Sequence, residues 1–326
     1  MLSKKYHIIT YGCQANIADS ERIAAKLESA GYKKTNSPET ADLIVLNSCS
    51  VRQSAINRLF SKIKKFKDKK LVVAGCVLEH DKKKIKNLVS QIWHPDDYFD
   101  LIPHHADSSS AYVPIMTGCN NFCTYCAVPY TRGRERSRPV KDIINEVKKL
   151  AAGGYKEIWL LGQNVNSYKP SFSKLLREIN SIPDKFSIHF MSSHPKDFSG
   201  ELINTIAECS KVSRTIHLPV QSGDNKILRA MNRHYTIGHF KKLVAKIQKK
   251  IPEVKISTDA IVGFPEETKK QFENTVKLFK EVIFYKAYIS RYSPRPGTLA
   301  AKLKDDVSQE EKKRRWKILN NMVYEK

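Results

Sequence analysis

Residues 112–126 read YVPIMTGCNNFCTYC. Tyr112–Met116 is apolar and rich in strand-forming residues, and Gly118 then opens a loop that carries Cys119, Cys123 and Cys126. A helical pattern follows from Val140 to Ala151, and Glu157–Leu161 reads as the next strand. Strands separated by helices of this length predict a parallel sheet. The series continues with expected strands at Ser187–Met191, Thr215–Pro219, Lys255–Ile261 and Tyr285–Tyr292, and Gly238–Lys249 is one of the helices between them. Six consecutive βα units predict a partial TIM-like (β/α)6 barrel. Its cysteine loop lies past the first strand, on the side where such barrels bind ligands.

Upstream, short apolar runs at Tyr6–Thr10, Ala41–Leu46 and Lys70–Ala74 alternate with helical patterns at Ala18–Ala30 and Ser54–Phe66, and a basic helix is expected at Asp81–Val89. This alternation predicts an N-terminal parallel α/β sheet domain. Residues 94–110 break the pattern with Pro95, Pro103, the acidic Asp96, Asp97 and Asp100, the adjacent His104 and His105, and a run of serines. They read as a linker, which places the boundary between domains 1–103 and 104–326. The paired histidines fit a metal site or a solvated loop, and the loop reading is the stronger. The last helix starts near Ser308, with Glu311 at capping-box spacing, and Lys312, Lys313, Arg314 and Arg315 read as facing solvent. There is no internal repeat and no low-complexity tract.

Lysine and arginine number 57 against 33 acidic residues, a net charge of +24. Such an excess favours a polyanionic partner or serves only to solubilise the surface. The opening apolar stretch is too short for a signal core, and no run approaches the length of a membrane span. A cytoplasmic protein without membrane contact is expected. In that compartment cysteine spacing points to metal binding or catalysis rather than to disulfides.

The C-x3-C-x2-C spacing lets one loop supply three thiolates to one cluster. Four cysteines would saturate a four-iron cluster, so three leave one iron open to a ligand. Zinc normally takes four ligands in a closed site, and no fourth cysteine or histidine stands at a usual zinc spacing. Cys13, Cys49 and Cys76 each follow an expected strand, so neighbouring strands would gather them at one sheet edge. Simple burial is the competing reading there. Cys209 falls in a helical region and reads as core.

GCNNFCTYC at 118–126 resembles the radical S-adenosylmethionine enzymes, and the longer GCNNFCTYCAVPYTRGRERSRP is similar to their methylthiotransferases. YGCQANIADSE, LNSCSVR and VVAGC resemble that family's three-cysteine domain. LLGQNVNSY, FMSSHPKD, HLPVQSG, STDAIVGFP and YSPRPGT resemble the MiaB branch, which makes 2-methylthio-N6-isopentenyladenosine in tRNA. Departures are Ser48 in N-S-C, Gln53, the run Val77-Leu78-Glu79-His80, and Glu266 where a glycine is expected. Similar proteins continue into a small RNA-binding β-barrel, the TRAM domain, which is expected to be absent here.

The resemblance implies two 4Fe-4S clusters and S-adenosylmethionine. Cys119, Cys123 and Cys126 would ligate the cluster that cleaves S-adenosylmethionine to a 5′-deoxyadenosyl radical, and Cys13, Cys49 and Cys76 an auxiliary cluster that carries the transferred sulfur. Tyr125 matches the family's aromatic position near the cofactor adenine. Gln163, Gln221, Ser222, Asp259 and Arg291, with Asn164 and His194, are the candidate strand-end residues for cofactor and base. Each reads equally well as a satisfied structural hydrogen bond. Arg132, Arg134, Arg136 and Arg138 alternate, so an extended chain would set all four on one face. They read as a phosphate contact strip or as a solvated charge run. The implied partners are tRNA bearing isopentenyladenosine and an electron donor such as flavodoxin or ferredoxin, acting with a monomer. Methylthiolation of threonylcarbamoyladenosine or of a ribosomal-protein aspartate, and a non-catalytic cluster- or zinc-bearing RNA-binding protein, remain as alternatives. LLGQNVNSY and RGRERSRP favour isopentenyladenosine.

Overall fold

The computed structural model describes residues 3–51, 53–103, 105 and 109–324; His104 lies outside them. By compactness the chain divides into two units, residues 1–120 with 127–162 and residues 121–126 with 163–326.

The first unit begins with β1 (Lys5–Thr10), α1 (Gln14–Ser29), β2 (Lys33–Lys34), β3 (Leu43–Cys49), α2 (Gln53–Lys65), β4 (Lys70–Cys76), α3 (Glu79–Ile85) and β5 (Gln91–Ile92). The strands pair in parallel in the order β2-β1-β3-β4-β5. Strand β3 is buried along its whole length, which a strand tolerates when both faces are covered. Ile44, Leu46, Leu71 and Val73 pack with Ile56, Leu59 and Ile63 of α2. The alternate residues Leu43, Val45, Val72 and Ala74 pack with Ile23 and Leu27 of α1. The same unit holds β6 (Ser110–Pro114), the antiparallel pair β7 (Met116–Thr117) and β8 (Arg136–Ser137), α4 (Val128–Thr131), α5 (Val140–Ala152), and β9 (Glu157–Leu161), which pairs in parallel with β6.

The second unit carries α6 (Phe172–Asn180), β10 (Ser187–Phe190), α7 (Gly200–Glu208), β11 (Thr215–His217), α8 (Asn225–Ala230), α9 (Ile237–Lys250), β12 (Lys255–Val262), α10 (Lys269–Glu281), β13 (Lys286–Arg291) and α11 (Gln309–Tyr324). Strands β11, β12 and β13 pair in parallel. Helix starts are set by side chains that accept orphan backbone N–H groups: Ser171, Ser199, Asp224, Thr236 and Thr268, each worth about 1 kcal/mol. The capping box expected at Ser308 is half formed. Glu311 donates its N–H to Ser308 Oγ at 3.2 Å, but its carboxylate is taken by Arg314 and Arg315. The basic run is not all solvent-facing, because the helical period turns Lys312 and Arg315 inward. Both are buried, Lys312 on Asp305 and Arg315 on Glu267 at 2.8 Å.

In the first unit a buried carboxylate ties α1 to α5. Glu146 accepts from Arg22 at 3.1 Å and from Arg138 at 2.7 Å, and His105 Nε2 lies 3.7 Å away. His105 Nδ1 also meets Glu21 at 3.0 Å, so this histidine is a structural partner rather than a loop residue in solvent. Burial opposes ionisation of Glu146, yet His105 and the two guanidinium groups outweigh it and hold the carboxyl down at about 2.

A folded-state value below the ordinary 4.5 gives a stabilisation that is complete above about pH 4.5 and lost as pH falls toward 2. Glu146→Gln is expected to cost about 3 kcal/mol at neutral pH and to flatten the acid dependence in that window, as read from urea midpoints of metal-free protein. Glu266 is exposed at φ +65°, a region that disfavours side chains by about 1–2 kcal/mol. Glu266→Gly is therefore expected to raise stability by up to about 1 kcal/mol, because glycine's larger unfolded-state entropy offsets part of the gain; an unchanged or lower urea midpoint contradicts this.

Candidate cluster-binding sites

The first cysteine set sits at the carboxyl ends of β1, β3 and β4. In a 2-1-3-4-5 sheet the chain reverses direction between β1 and β3, and ligands bind at such switch points. Cys49 and Cys76 close their strands as register partners and are buried, while Cys13 precedes α1 and is exposed. The hydrogen bond with Cys76 pulls the Cys49 thiol below the ordinary range. Gly75 stands at φ +88°, and a Cβ there would lie 2.3 Å from Asn47 Oδ1, so only glycine lets β4 pass so close to β3.

Two asparagines fasten the first turn of α1 to β3. Asn16 Nδ2 donates to Asn47 Oδ1 at 3.0 Å and to the Ser48 carbonyl at 3.2 Å, and Asn47 Nδ2 donates to the Asn16 carbonyl at 2.7 Å. Arg132 donates from Nε to Cys76 Sγ at 2.8 Å and from its terminal nitrogens to Asp19. Among the described residues no three His, Cys, Asp or Glu side chains converge as for a single metal ion. A cluster offers separate iron corners, so its thiolates need not meet at one point, and three soft sulfurs at strand ends suit iron–sulfur binding.

The second set lies on a loop whose stem is the β7–β8 pair. In the first unit the Cys119 N–H donates to the Gly133 carbonyl at 3.1 Å, and Asn120 and Glu135 exchange backbone-to-side-chain bonds of 3.2 Å each. Gly118 is at φ +75°, and a Cβ on it would fall 2.0 Å from the Arg134 carbonyl. In the second unit Asn232 Nδ2 donates to the carbonyls of Asn121 and Phe122 at 3.0 and 3.1 Å. Thr124 binds the α8 end through Ala230 and Met231. Arg233 donates to Cys123 Sγ at 3.4 Å and to the Pro219 carbonyl at 2.9 Å, its guanidinium 5.3 Å from the Tyr235 ring centroid. Tyr125 packs with Ile227, Met231, Phe264 and Tyr292, and burial raises its phenol well above the usual range.

The strand-end polar residues separate into spent and unspent groups. Gln163 Oε1, Asn164 Oδ1, Ser193 Oγ and His194 Nε2 are buried with no hydrogen-bond partner among the described residues. Burial, then Arg233, Lys196 and His234, push the His194 pKa down to about 2. Its neutral Nδ1 accepts from the Lys196 N–H at 3.2 Å, which leaves Nε2–H as a free donor. Buried polar atoms are normally paired, so this group fits the polar edges of a nucleoside-containing ligand such as S-adenosylmethionine. Asp259, by contrast, meets His217 Nε2 at 3.3 Å, and His217 Nδ1 meets Ser257 at 3.0 Å. Ser222 Oγ accepts from the Asp224 N–H, Gln221 is buried at φ +69°, and Arg291 is exposed. Ser193, His217, Arg233 and Asp19 were not singled out by the sequence reading. The SSHP, HLPVQSG and YGCQANIADSE segments contain Ser193, His217 and Asp19, while Arg233 becomes visible only through Cys123 and Pro219.

The alternating arginines do not form one exposed strip. Only Arg136–Ser137 is extended, and Arg132 and Arg138 are buried on Asp19, Cys76 and Glu146. Arg134 and Arg136 are exposed, with Arg136 forked onto Asp100 and Asp96. Asn16→Ala removes the bonds that Nδ2 donates to Asn47 and Ser48 and those that Oδ1 accepts from the Cys13 N–H at 3.3 Å and the Cys13 thiol at 3.6 Å. It is expected to cost about 3 kcal/mol, at about 1 per nitrogen-donated bond, and to lower iron retention; a urea midpoint like that of the parent would contradict the role given to this residue.

Residues 113–279 match the family model of the radical SAM superfamily, and residues 5–94 match that of the uncharacterized protein family UPF0004. The chain is 42% identical to the tRNA-2-methylthio-N(6)-dimethylallyladenosine synthase of Carboxydothermus hydrogenoformans, over 97% of this chain and 82% of that protein. To the protein of the same name from Thermoanaerobacter pseudethanolicus it is 43% identical, over 93% and 74%. Among solved structures, the radical S-adenosylmethionine methyltransferase TsrM from Kitasatospora setae aligns with a TM-score of 0.67 over 92% of this chain and 77% of its own, at 14% identity, which is a likeness of fold. The chain thus belongs to the radical SAM superfamily and, within it, to the family of tRNA-2-methylthio-N(6)-dimethylallyladenosine synthases.

Proposed function

We propose that this protein is a radical S-adenosylmethionine enzyme that adds a methylthio group to C2 of N6-isopentenyladenosine, at position thirty-seven beside the tRNA anticodon. The observation that carries this reading is 42% identity, over 97% of the chain, to synthases of that name. Cys119, Cys123 and Cys126 would hold the cluster that works with S-adenosylmethionine, and Cys13, Cys49 and Cys76 the auxiliary one. Together the bound groups supply a carbon radical and a transferable sulfur.

The chain's own part is to bind, orient and exclude water. The unspent Gln163, Asn164, Ser193 and His194 atoms offer three oxygens and one N–H donor to cofactor or base. His194 stays neutral through the physiological range, so it donates without adding charge. Tyr125 supplies an aromatic wall. The exposed Arg134, within a net charge of +24, suits the phosphates of tRNA, while Arg136 is engaged by Asp100 and Asp96. A cytoplasmic monomer reduced by a flavodoxin or ferredoxin completes the reading.

Two measurements test it. Anaerobically purified protein should carry about eight irons per chain, and each triple cysteine-to-alanine variant about four; a parent with only about four would remove the auxiliary site. Nucleoside mass spectrometry of tRNA from cells lacking this protein should show isopentenyladenosine without its methylthio group. Loss confined to threonylcarbamoyladenosine, or unchanged tRNA, would overturn the substrate assignment.

A further inference from the structure

The buried Arg132 has an arrangement that ion pairing with Asp19 does not explain. Its terminal nitrogens face the Asp19 carboxylate, but its Nε points away from that carboxylate and lies 2.8 Å from Cys76 Sγ. All three residues are buried: Arg132 5%, Asp19 2% and Cys76 4% exposed. A guanidinium does not lose its proton in a protein, and its planar fork fixes the direction of each N–H. Asp19 is therefore the anchor, and the sulfur receives a permanent, aimed, positively charged donor. Among the described residues, Cys76 is the one cysteine of this set whose sulfur accepts from a charged donor, so the set is electronically uneven.

We propose that Arg132 is a positioning residue of the first cysteine set, donating a charge-assisted hydrogen bond to the Cys76 sulfur that raises the reduction potential of the cluster held there. The inference rests on the reading that Cys13, Cys49 and Cys76 bind a cluster. Hydrogen bonds to the sulfurs, together with net charge and burial, set the potential of an iron–sulfur site. A donor bearing positive charge favours the reduced cluster, which has one more negative charge, over the oxidised one. Burial keeps water from screening that preference.

The test uses the full chain with Cys119, Cys123 and Cys126 replaced by alanine, loaded anaerobically, so that only the first set reports. About four irons per chain are expected; a chain that retains none sinks the cluster reading, which is a separate failure from that of Arg132. Redox titration followed by electron paramagnetic resonance then compares this parent with two variants. Asp19→Asn with Arg132→Gln removes both charges together and leaves no unpaired buried ion, so the fold is kept. Its reduced-to-oxidised ratio at a fixed potential should fall about tenfold, which is about 59 mV for a one-electron couple. Arg132→Lys keeps the charge but lacks the rigid Nε donor, and should fall between the two. Arg138→Lys, a buried arginine on Glu146 and Pro114, should leave the potential unmoved. If both Arg132 variants hold their iron and titrate with the parent, the proposal is overturned. If Arg138→Lys shifts equally, the effect is general loosening and the proposal is equally overturned.

Discussion

One face of α1 carries Asn16, Asp19 and Arg22, three residues apart and all buried. A helix facing a sheet normally presents aliphatic residues there. These three polar side chains instead each find a partner in a different segment: Asn47 with Ser48, Arg132, and Glu146. A buried charge without its partner is strongly destabilising, so the Asp19–Arg132 and Arg22–Glu146 pairs each need both members in place. They fix the rotation and the axial position of α1, and with them Cys13, the residue that precedes its first turn. The first cysteine set is thus placed from two directions, by strand register for Cys49 and Cys76 and by the polar face of a helix for Cys13.

The regular elements were largely legible because they follow from periodicity. The expected strand Glu157–Leu161 has the observed ends, and the expected helix Val140–Ala151 is one residue shorter than α5. Strands β3 and β4 run beyond their expected ends at Leu46 and Ala74 to include Cys49 and Cys76. Polar Asn47 and Ser48 ended the apolar pattern, although both are buried and Asn47 is paired across to α1. The spacing that identifies the cysteines is local, and so it was visible. What was not visible is pairing across long separations. The alternation of arginines at 132–138 assumes an extended chain, but the backbone turns at Gly133, so the alternate residues never share a face. Arg22 and Glu146 are likewise ordinary surface candidates until α1 and α5 are placed.

The basic excess also changes meaning. Arg22, Arg132, Arg138, Arg233, Lys312 and Arg315 are all buried, so part of the +24 is structural and not displayed to a polyanion. Two of these arginines donate to cysteine sulfurs, Arg132 to Cys76 and Arg233 to Cys123. Charge composition thus pointed toward nucleic acid, while some of the residues behind it serve the cysteines instead.

The stem beneath the Cys119 loop has a thermodynamic consequence. Backbone bonds between β7 and β8, the Cys119 to Gly133 bond and the Asn120–Glu135 exchange bring the two ends of the loop together. Closing a flexible loop of roughly a dozen residues costs about 2 kcal/mol beyond a constant term. The stem bonds join backbone and side-chain groups of the protein and involve no cysteine sulfur, so they meet part of that cost independently of the ligand bonds. Ligation by the loop therefore begins from a restricted ensemble, and more of its intrinsic bonding strength is expressed as affinity.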